Sequence, residues 1–471
     1  MAYIDSFRGQ NWLLPPSIRD MIPEDHVCFF VEDFVDSLDY SKFDADYCGA
    51  GHPAYRPRVL LKVLVYGMMC GTRSSRKIAR AARENFVFMY LAERLSPDFR
   101  TVARFRKDNA SFIKEVFRKT VELSVEHDLA DLSFVSIDGT MLKACAGKKK
   151  YFGREGIDKL EKAIEKMIDE DIALDELEDE LFDDKEEGLT GVDRRDLKRI
   201  VREYRESEDK KKVEEKVKKA KTELIEHGLK KVSLSDSESR MMQNKHGVSE
   251  LCYNVQLGVS KNQVVLSTDV CQDKHDAHQF IPQVNKLREN VELQKDTKIG
   301  VDCAYSDGEN IKYAEDEGLD LYVPSRAQAQ EFDCKEQNLN HDHYEYDEEK
   351  NEIIVDGIRY RYRGPYTRNK SGRTLVTFYN PEIKKKKDLP FYFKERLRMR
   401  DKMSTPEGRR IYNMRKTSVE PVYGNLKANL GFREFLLRGM ENVKIELNLA
   451  CIAHNLQKIH RMMREKNAVM A

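Results

Sequence analysis

The chain has 471 residues and a mass of 55.0 kDa, with 40% hydrophobic and 35% charged residues and a mean hydropathy of −0.67. That length exceeds one small core and suggests roughly two to four domains, while the apolar content excludes global disorder. No apolar run approaches the roughly 18 residues of a membrane span, and MAYIDSFRGQ lacks the basic and apolar regions of a signal peptide, so a cytoplasmic protein without membrane contact is expected.

The 82 basic and 82 acidic residues cancel, but they are not mixed evenly. From Gly51 to Thr120 there are 16 Lys and Arg against 5 Asp and Glu, from Asp158 to Glu187 there are 4 against 15, and from Lys384 to Lys416 there are 13 against 4. Two basic segments around an acidic one point to a polyanion partner, although solvated helices can look the same. The nine cysteines are scattered without a C-x-x-C pair, which suggests neither a disulfide framework nor a zinc ribbon.

In chain order, Arg58 to Leu129 has helical periodicity. Ser96 is the expected N-cap of a helix reading FRTVARFRKDN, which carries Arg100, Arg104, Arg106 and Lys107. A helix, a turn and an arginine-rich second helix is how helix-turn-helix modules approach a major groove; any basic helical hairpin reads the same way. A strand at SFVSID ends at Asp138. Charged helices with sparse apolar positions (Leu160, Ile164, Met167; Ile200, Val201, Tyr204; Val213, Val217, Leu224) then suggest an inserted hairpin or coiled coil, with a turn at Gly188. ELCYNVQLGV and QVVLSTDV read as an antiparallel hairpin. A helix to Asn290, a strand ending at Asp302, another helix and the strand LDLYVP follow. Beyond Arg326 the pattern alternates with period two, and after Lys384 it is helical. Cys334, His341 and His343 are spaced like loop residues more than like a metal site.

An acid at one strand's end, a second where another strand ends and a third on a later helix can converge across a sheet edge. Two-metal phosphoryl chemistry needs such hard oxygens around two ions about 3.5–4 Å apart. Asp138, Asp302 and Glu420 are the candidates, against the plain alternative that a strand-terminal Asp is a turn residue.

SFVSIDGTMLKACA, SDSESRMM, LCYNVQLGV, GVDCAYSDGENIK and above all RKTSVEPVYGNLKANLGFREFLLRG resemble the motif blocks of bacterial insertion-sequence DDE transposases. The resemblance implies an α/β fold with a ribonuclease H-like mixed sheet and helices on both faces. An all-helical DNA-binding region would fill 1–130, and the catalytic sheet 131–154, 232–326 and 401–471. A helical insertion at 155–231 and a β-rich insertion at 327–400 would interrupt it. It further implies two Mg²⁺ or Mn²⁺ ions held by Asp138, Asp302 and Glu420, cleavage of transposon ends and joining of the 3′-hydroxyls to target DNA. Duplex DNA (terminal inverted repeats and target) and a second copy in a homodimer would be the partners, and the bacterial nucleoid the site of action. A domesticated DNA-binding regulator and a plain metal-dependent nuclease are the alternatives.

One branch of the family carries Tyr-x2-Arg-x3-Glu-x6-Lys. Glu420 and Lys427 keep the last spacing, but Tyr412 and Arg415 lie one residue too far upstream. On a regular helix Lys416 therefore takes the arginine's place, with Arg415 roughly 140° away; an irregular helix would reverse them. Asp236 and Arg240 are expected beside the active site, or else as a helix cap with a paired arginine. Some relatives stack a Trp from the β-rich interval on a flipped base. The sole tryptophan is Trp12, leaving Tyr360 or Tyr362 to stack or simply to pack across strands.

Overall fold

The computed structural model describes residues 17–46, 54–169, 191–207, 209–243, 247–332, 344–368 and 373–470. Trp12, Gly188, Cys334, His341, His343 and the acidic stretch beyond residue 169 lie outside them. Among the described residues no helix is long and apolar enough to cross a membrane, and Cys28, Cys70, Cys145, Cys252, Cys271, Cys303 and Cys451 form no disulfide.

The N-terminal region is helical: α1 (Val27–Asp36), α2 (Ser41–Asp46), α3 (Pro57–Met69), α4 (Ser75–Glu84), α5 (Phe86–Leu91), α6 (Phe99–Asp108) and α7 (Ala110–Glu126). Pro57 opens α3, where its fixed φ suits the first turn and no donor is lost. The cap of α6 is Asp98 rather than Ser96: its Oδ1 accepts from Arg100 N at 2.7 Å and Thr101 N at 3.2 Å. A carboxylate there also meets the positive end of the helix dipole, which a serine hydroxyl does not.

Next come β1 (Phe134–Lys143), β2 (Tyr151–Gly153), α8 (Arg154–Asp169), α9 (Gly191–Arg205), α10 (Lys210–Glu226), β3 (Lys231–Ser233), β4 (Arg240–Gln243), β5 (Ser249–Ser260), β6 (Val265–Cys271), α11 (Phe280–Asn290), β7 (Lys298–Val301), α12 (Gly308–Asp316) and β8 (Asp320–Tyr322). The mixed sheet runs β6, β5, β1, β7, β8. β5 is antiparallel to both neighbours, and β7 and β8 are parallel to β1. β4 pairs with residues 249–252 of β5. The sequence places Asp138 at a strand end, but β1 continues to Lys143 against β5; only its pairing with β7 stops, at Ile137.

The third stretch holds α13 (Arg326–Phe332), β9 (Glu345–Asp347), β10 (Glu352–Val355), β11 (Ile358–Thr367), β12 (Thr374–Asn380), β13 (Lys385–Pro390), α14 (Phe393–Ser404), α15 (Pro406–Asn413), α16 (Arg415–Gly424), a π-helical turn (Asn425–Asn429) and α17 (Met440–Met470). β9 to β13 form a separate five-stranded antiparallel sheet with its own small core, in which Ile353, Tyr360, Val376, Phe378 and Leu389 meet Phe393 of α14.

Helices α8 to α10 also have a core of their own, built from the apolar positions legible in the sequence: Leu160, Ile164, Ile200, Val201, Tyr204, Val217 and Leu224. The expected boundary at residue 130 is, by contrast, no break in packing. Buried side chains from Ile22 to Val121 join those of the mixed sheet and of α17 in one continuous cluster, because α17 packs on α3 and α7 as well as on β6.

Candidate active site

The parallel register of β1 and β7 runs from Phe134 opposite Lys298 to Ile137 opposite Val301. The next residues along both strands are Asp138 and Asp302, which the register leaves as neighbours. Asp302 caps the short turn Cys303–Tyr305, accepting from Cys303 N at 2.7 Å, and Asp138 accepts from Gly139 N at 2.9 Å. Their side chains are 17% and 41% exposed.

Between the two carboxylates lies the Arg415 guanidinium, with Nη2 3.3 Å from Asp138 Oδ2 and Nη1 3.7 Å from Asp302 Oδ1. Nη1 also donates to Tyr412 Oη at 3.2 Å, and Tyr412 Oη donates to Asp302 Oδ1 at 3.4 Å. Burial pushes the Asp138 carboxyl up to about 6; Arg415 works against this, and the neighbouring Asp302 adds to it. Burial also acts to discharge Arg415, but Asp138 and Asp302 outweigh it and keep the guanidinium charged.

The extra residue lies between Arg415 and Glu420, inside α16, and the helical run breaks just before that helix, at Met414. α15 closes there with Met414 N bonding Ile411 O at 3.0 Å, an i→i−3 bond, and α16 begins anew at Arg415. The hydroxyls of Thr417 and Ser418 both bond back to Met414 O at 3.0 Å, the kind of back-bonding that bends helices. Arg415 points inward and is buried, whereas Lys416 is exposed on the same face of α16 as Glu420. This corrects the regular-helix expectation, which placed Lys416 on the site. Glu420 is exposed, close enough to Arg415 to help hold its charge. Pro421 cannot donate to Thr417 O, and Gln263 Nε2 fills that vacancy at 2.9 Å. Past it, Tyr423 Oη donates to the Asp138 carbonyl at 2.6 Å, and Lys427 Nζ, on the π turn, donates to Thr140 Oγ1 at 2.6 Å. The Glu420 helix is thereby docked along β1.

Behind Asp138 lies a polar cluster that the sequence reading missed. Asp276 Oδ1 accepts from Asn254 Nδ2 at 2.7 Å and Gln256 Nε2 at 2.6 Å, and Tyr305 Oη donates to Gln256 Oε1 at 2.5 Å. A Cβ on Gly139 would stand 2.4 Å from Gln256 Nε2 and 2.5 Å from Asp276 Oδ1, so only glycine lets this cluster close against the strand. Its signal was the pair Asn254 and Gln256, polar at i and i+2 in an otherwise apolar strand.

Asp236 and Arg240 do not adjoin the pair. Arg240 lies opposite Cys252, which faces Lys143, five residues along β1 from Asp138 and hence roughly 17 Å away. Asp236 Oδ1 accepts from Gly439 N at 3.2 Å at the start of α17, and Arg240 pairs with Glu223 at 2.7 Å, as the cap-and-arginine alternative describes. Arg100, Arg104 and Lys107 are exposed on α6, but Arg106 is buried with Nη1 on Arg73 O at 3.4 Å. It faces the core beside Val102 and Phe105 and is corrected from a DNA contact to an interior group. Arg76, Lys77, Arg80 and Arg83, exposed on the adjacent α4, extend the basic face instead. Tyr360 is buried in the second sheet, while Tyr362 is exposed at one edge of Phe378, their centroids 5.7 Å apart.

Asp138 and Asp302 suit a hard divalent cation, since they already share one positive group. Among the described residues no three His, Cys, Asp or Glu side chains stand together as a metal would require, because Glu420 stays outside the pair. Two of the three expected donors therefore fit as placed.

Residues 16–108, covering α1 to α6, match a family described as a transposase domain (DUF772), and residues 379–460, covering α14 to the π turn and much of α17, match a transposase DDE domain. No curated protein matches the sequence.

Proposed function

We propose, for a chain that belongs to the DDE transposases of insertion sequences, that it cuts transposon ends at Asp138, Asp302 and Glu420 and joins the freed 3′-hydroxyls to target DNA. The observation that carries this reading is the register of β1 and β7, which brings Asp138 beside Asp302 while α16 lies docked on the same strand. A mixed sheet ordered β6, β5, β1, β7 and β8, with β5 antiparallel to its neighbours, supports a ribonuclease H-like fold. Residues 155–231 and 327–400 are then insertions in it.

Bound Mg²⁺ or Mn²⁺ would supply the charge that activates the attacking oxygen and stabilises the leaving one. Asp138 and Asp302 would hold the ions, and Tyr412 fixes the orientation of Asp302. Glu420, exposed on α16, would be the third donor. Lys427 steadies β1 just past Asp138. The basic faces of α4 and α6 grip duplex DNA through its phosphates.

Two ends are held by two copies of the chain. Most apolar positions of α8 to α10 are buried within that packet, so pairing through it would use mainly its charged outer faces. Labelled end DNA incubated with protein, target plasmid and Mg²⁺ should give cleaved and then joined product. Cleavage without joining would identify a nuclease, binding without cleavage a regulator, and a chain that stays monomeric on saturating end DNA would remove the dimer.

A further inference from the structure

We propose that Arg415 is the resident counter-ion of the Asp138–Asp302 pair: it holds the two carboxylates together in the metal-free protein and competes directly with a divalent cation for them. The inference rests on the reading of these aspartates as metal ligands and adds to it what occupies their shared space beforehand.

Two carboxylates on adjacent strands, about 4.8 Å apart in backbone, repel unless a positive charge lies between them. Arg415 provides it from the protein side. Its side chain is 8% exposed, deeper than either acid, and its stem runs over Gly300 of β7, where a Cβ would meet Arg415 Cγ at 3.3 Å.

The contacts are those of a shared hold and not of two tight bonds. At 3.3 and 3.7 Å both exceed the roughly 2.7–2.9 Å of a strong charge-assisted bond, and the fork is split between two acids instead of being bidentate on one. Arg415 Nε is buried without a hydrogen-bond partner. The guanidinium is thus placed for its charge more than for its donors, and an ion that ligates both carboxylates directly displaces it. Displacement frees the fork for an anion at the mouth of the site.

Direct Mn²⁺ titration of the full chain without DNA, followed by electron paramagnetic resonance, tests this. Arg415→Ala should bind Mn²⁺ roughly tenfold more tightly than the unaltered protein, on the scale by which neighbours of a metal site change its affinity. Millimolar guanidinium should then weaken Mn²⁺ binding to that variant. Unchanged or weaker binding by Arg415→Ala, or no effect of added guanidinium, overturns the proposal. Arg415→Gln, shorter and uncharged but keeping the stem over Gly300, gives the same readout should the alanine variant not fold. Asp138→Asn and Asp302→Asn serve as the control: if they leave Mn²⁺ binding untouched, the metal-site reading itself fails, whereas if they abolish it and the Arg415 variants change nothing, only the counter-ion does.

Discussion

Arg73 and Arg415 are both buried, and they differ in what their acids face. Arg73 crosses from the N-terminal helices to the C-terminal segment, donating to Gly431 O at 2.7 Å and to Glu446 at 2.7 Å, with its Cζ 4.6 Å from the Phe432 ring centroid. Glu446 is fully buried and also accepts from Leu436 N at 2.9 Å and Leu437 N at 3.1 Å. Arg415 is as deeply buried, yet its contacts are longer and its acids open to solvent. An enclosed pair has no other ion to turn to and acts as a structural tie. A pair whose carboxylates reach water can exchange its cation, which a metal-dependent site requires.

The comparison is broken most severely at the open pair. Asp138→Ala or Asp302→Asn should reduce end cleavage by at least about 10³-fold, more than the roughly 10–100-fold typical of residues behind a metal ligand, and leave end binding in a gel-shift assay unchanged. Residual cleavage near the unaltered level would remove these aspartates from the chemistry.

At the enclosed pair the loss falls on stability. Removing one partner of a buried ion pair costs about 3–5 kcal/mol, so Arg73→Ala or Glu446→Ala should lower the urea midpoint sharply, equally in EDTA and in Mn²⁺. Arg415→Ala should lose less, and Mn²⁺ should restore it. If Mn²⁺ rescues the Arg73 variant as well, the distinction between the two arginines is wrong.

How far these features were legible in the sequence follows from their range. Asp138 and Asp302 could be read because each ends or follows a short apolar run, and parallel pairing then needs only one register. The three apolar stripes of α8 to α10 were equally plain. Arg106 could not be sorted from Arg104, since what separates them is the helix face turned toward a cluster whose acid, Glu446, is 340 residues away in sequence. The inward turn of Arg415 was hidden for a different reason. Helix phase puts Lys416 on Glu420's face, and in the fold that face is the exposed one. Which face of α16 turns inward depends on its docking against β1, which no local pattern fixes. The cluster around Asp276 was missed because a buried polar pair on a strand, Asn254 and Gln256, acquires meaning only from what folds against it.

A smaller effect separates the support of α16 from either arginine. His454 is buried with Nε2 2.8 Å from Gln263 O and Nδ1 2.9 Å from Asn425 Nδ2, while Gln263 itself caps Thr417 O. Burial pulls the imidazole down to about 4 against the carbonyl of Gln263, from 6.5 in the unfolded chain. Between these values the unfolded state binds the proton and the folded state does not, so stability is full above pH 6.5 and falls as pH drops towards about 4. The shift corresponds to about 3 kcal/mol at 1.36 kcal/mol per unit. Urea midpoints for the unaltered protein and His454→Gln should therefore converge on acidification through that window. Parallel pH dependences would mean that the ring is not held neutral.

The smallest predicted effect contrasts two neighbours on α6, the helix where an arginine's direction decides its role. Arg104 is exposed on the basic face, and Arg106 is buried near Arg73 and Glu446, which burial tends to discharge while Glu446 opposes. An exposed phosphate contact contributes through counter-ion release, so Arg104→Ala should weaken end-DNA binding uniformly across sequences. It should also reduce the slope of log affinity against log salt by about 1, with an unchanged urea midpoint. Arg106→Ala should do the reverse, lowering the midpoint and sparing the salt slope. Its guanidinium has no access to a phosphate, and removing it opens a void beside Val102 and Phe105. Salt titrations of both variants on one labelled duplex decide the matter: equal losses of slope would place Arg106 on the DNA after all, and require α6 to rotate when it binds.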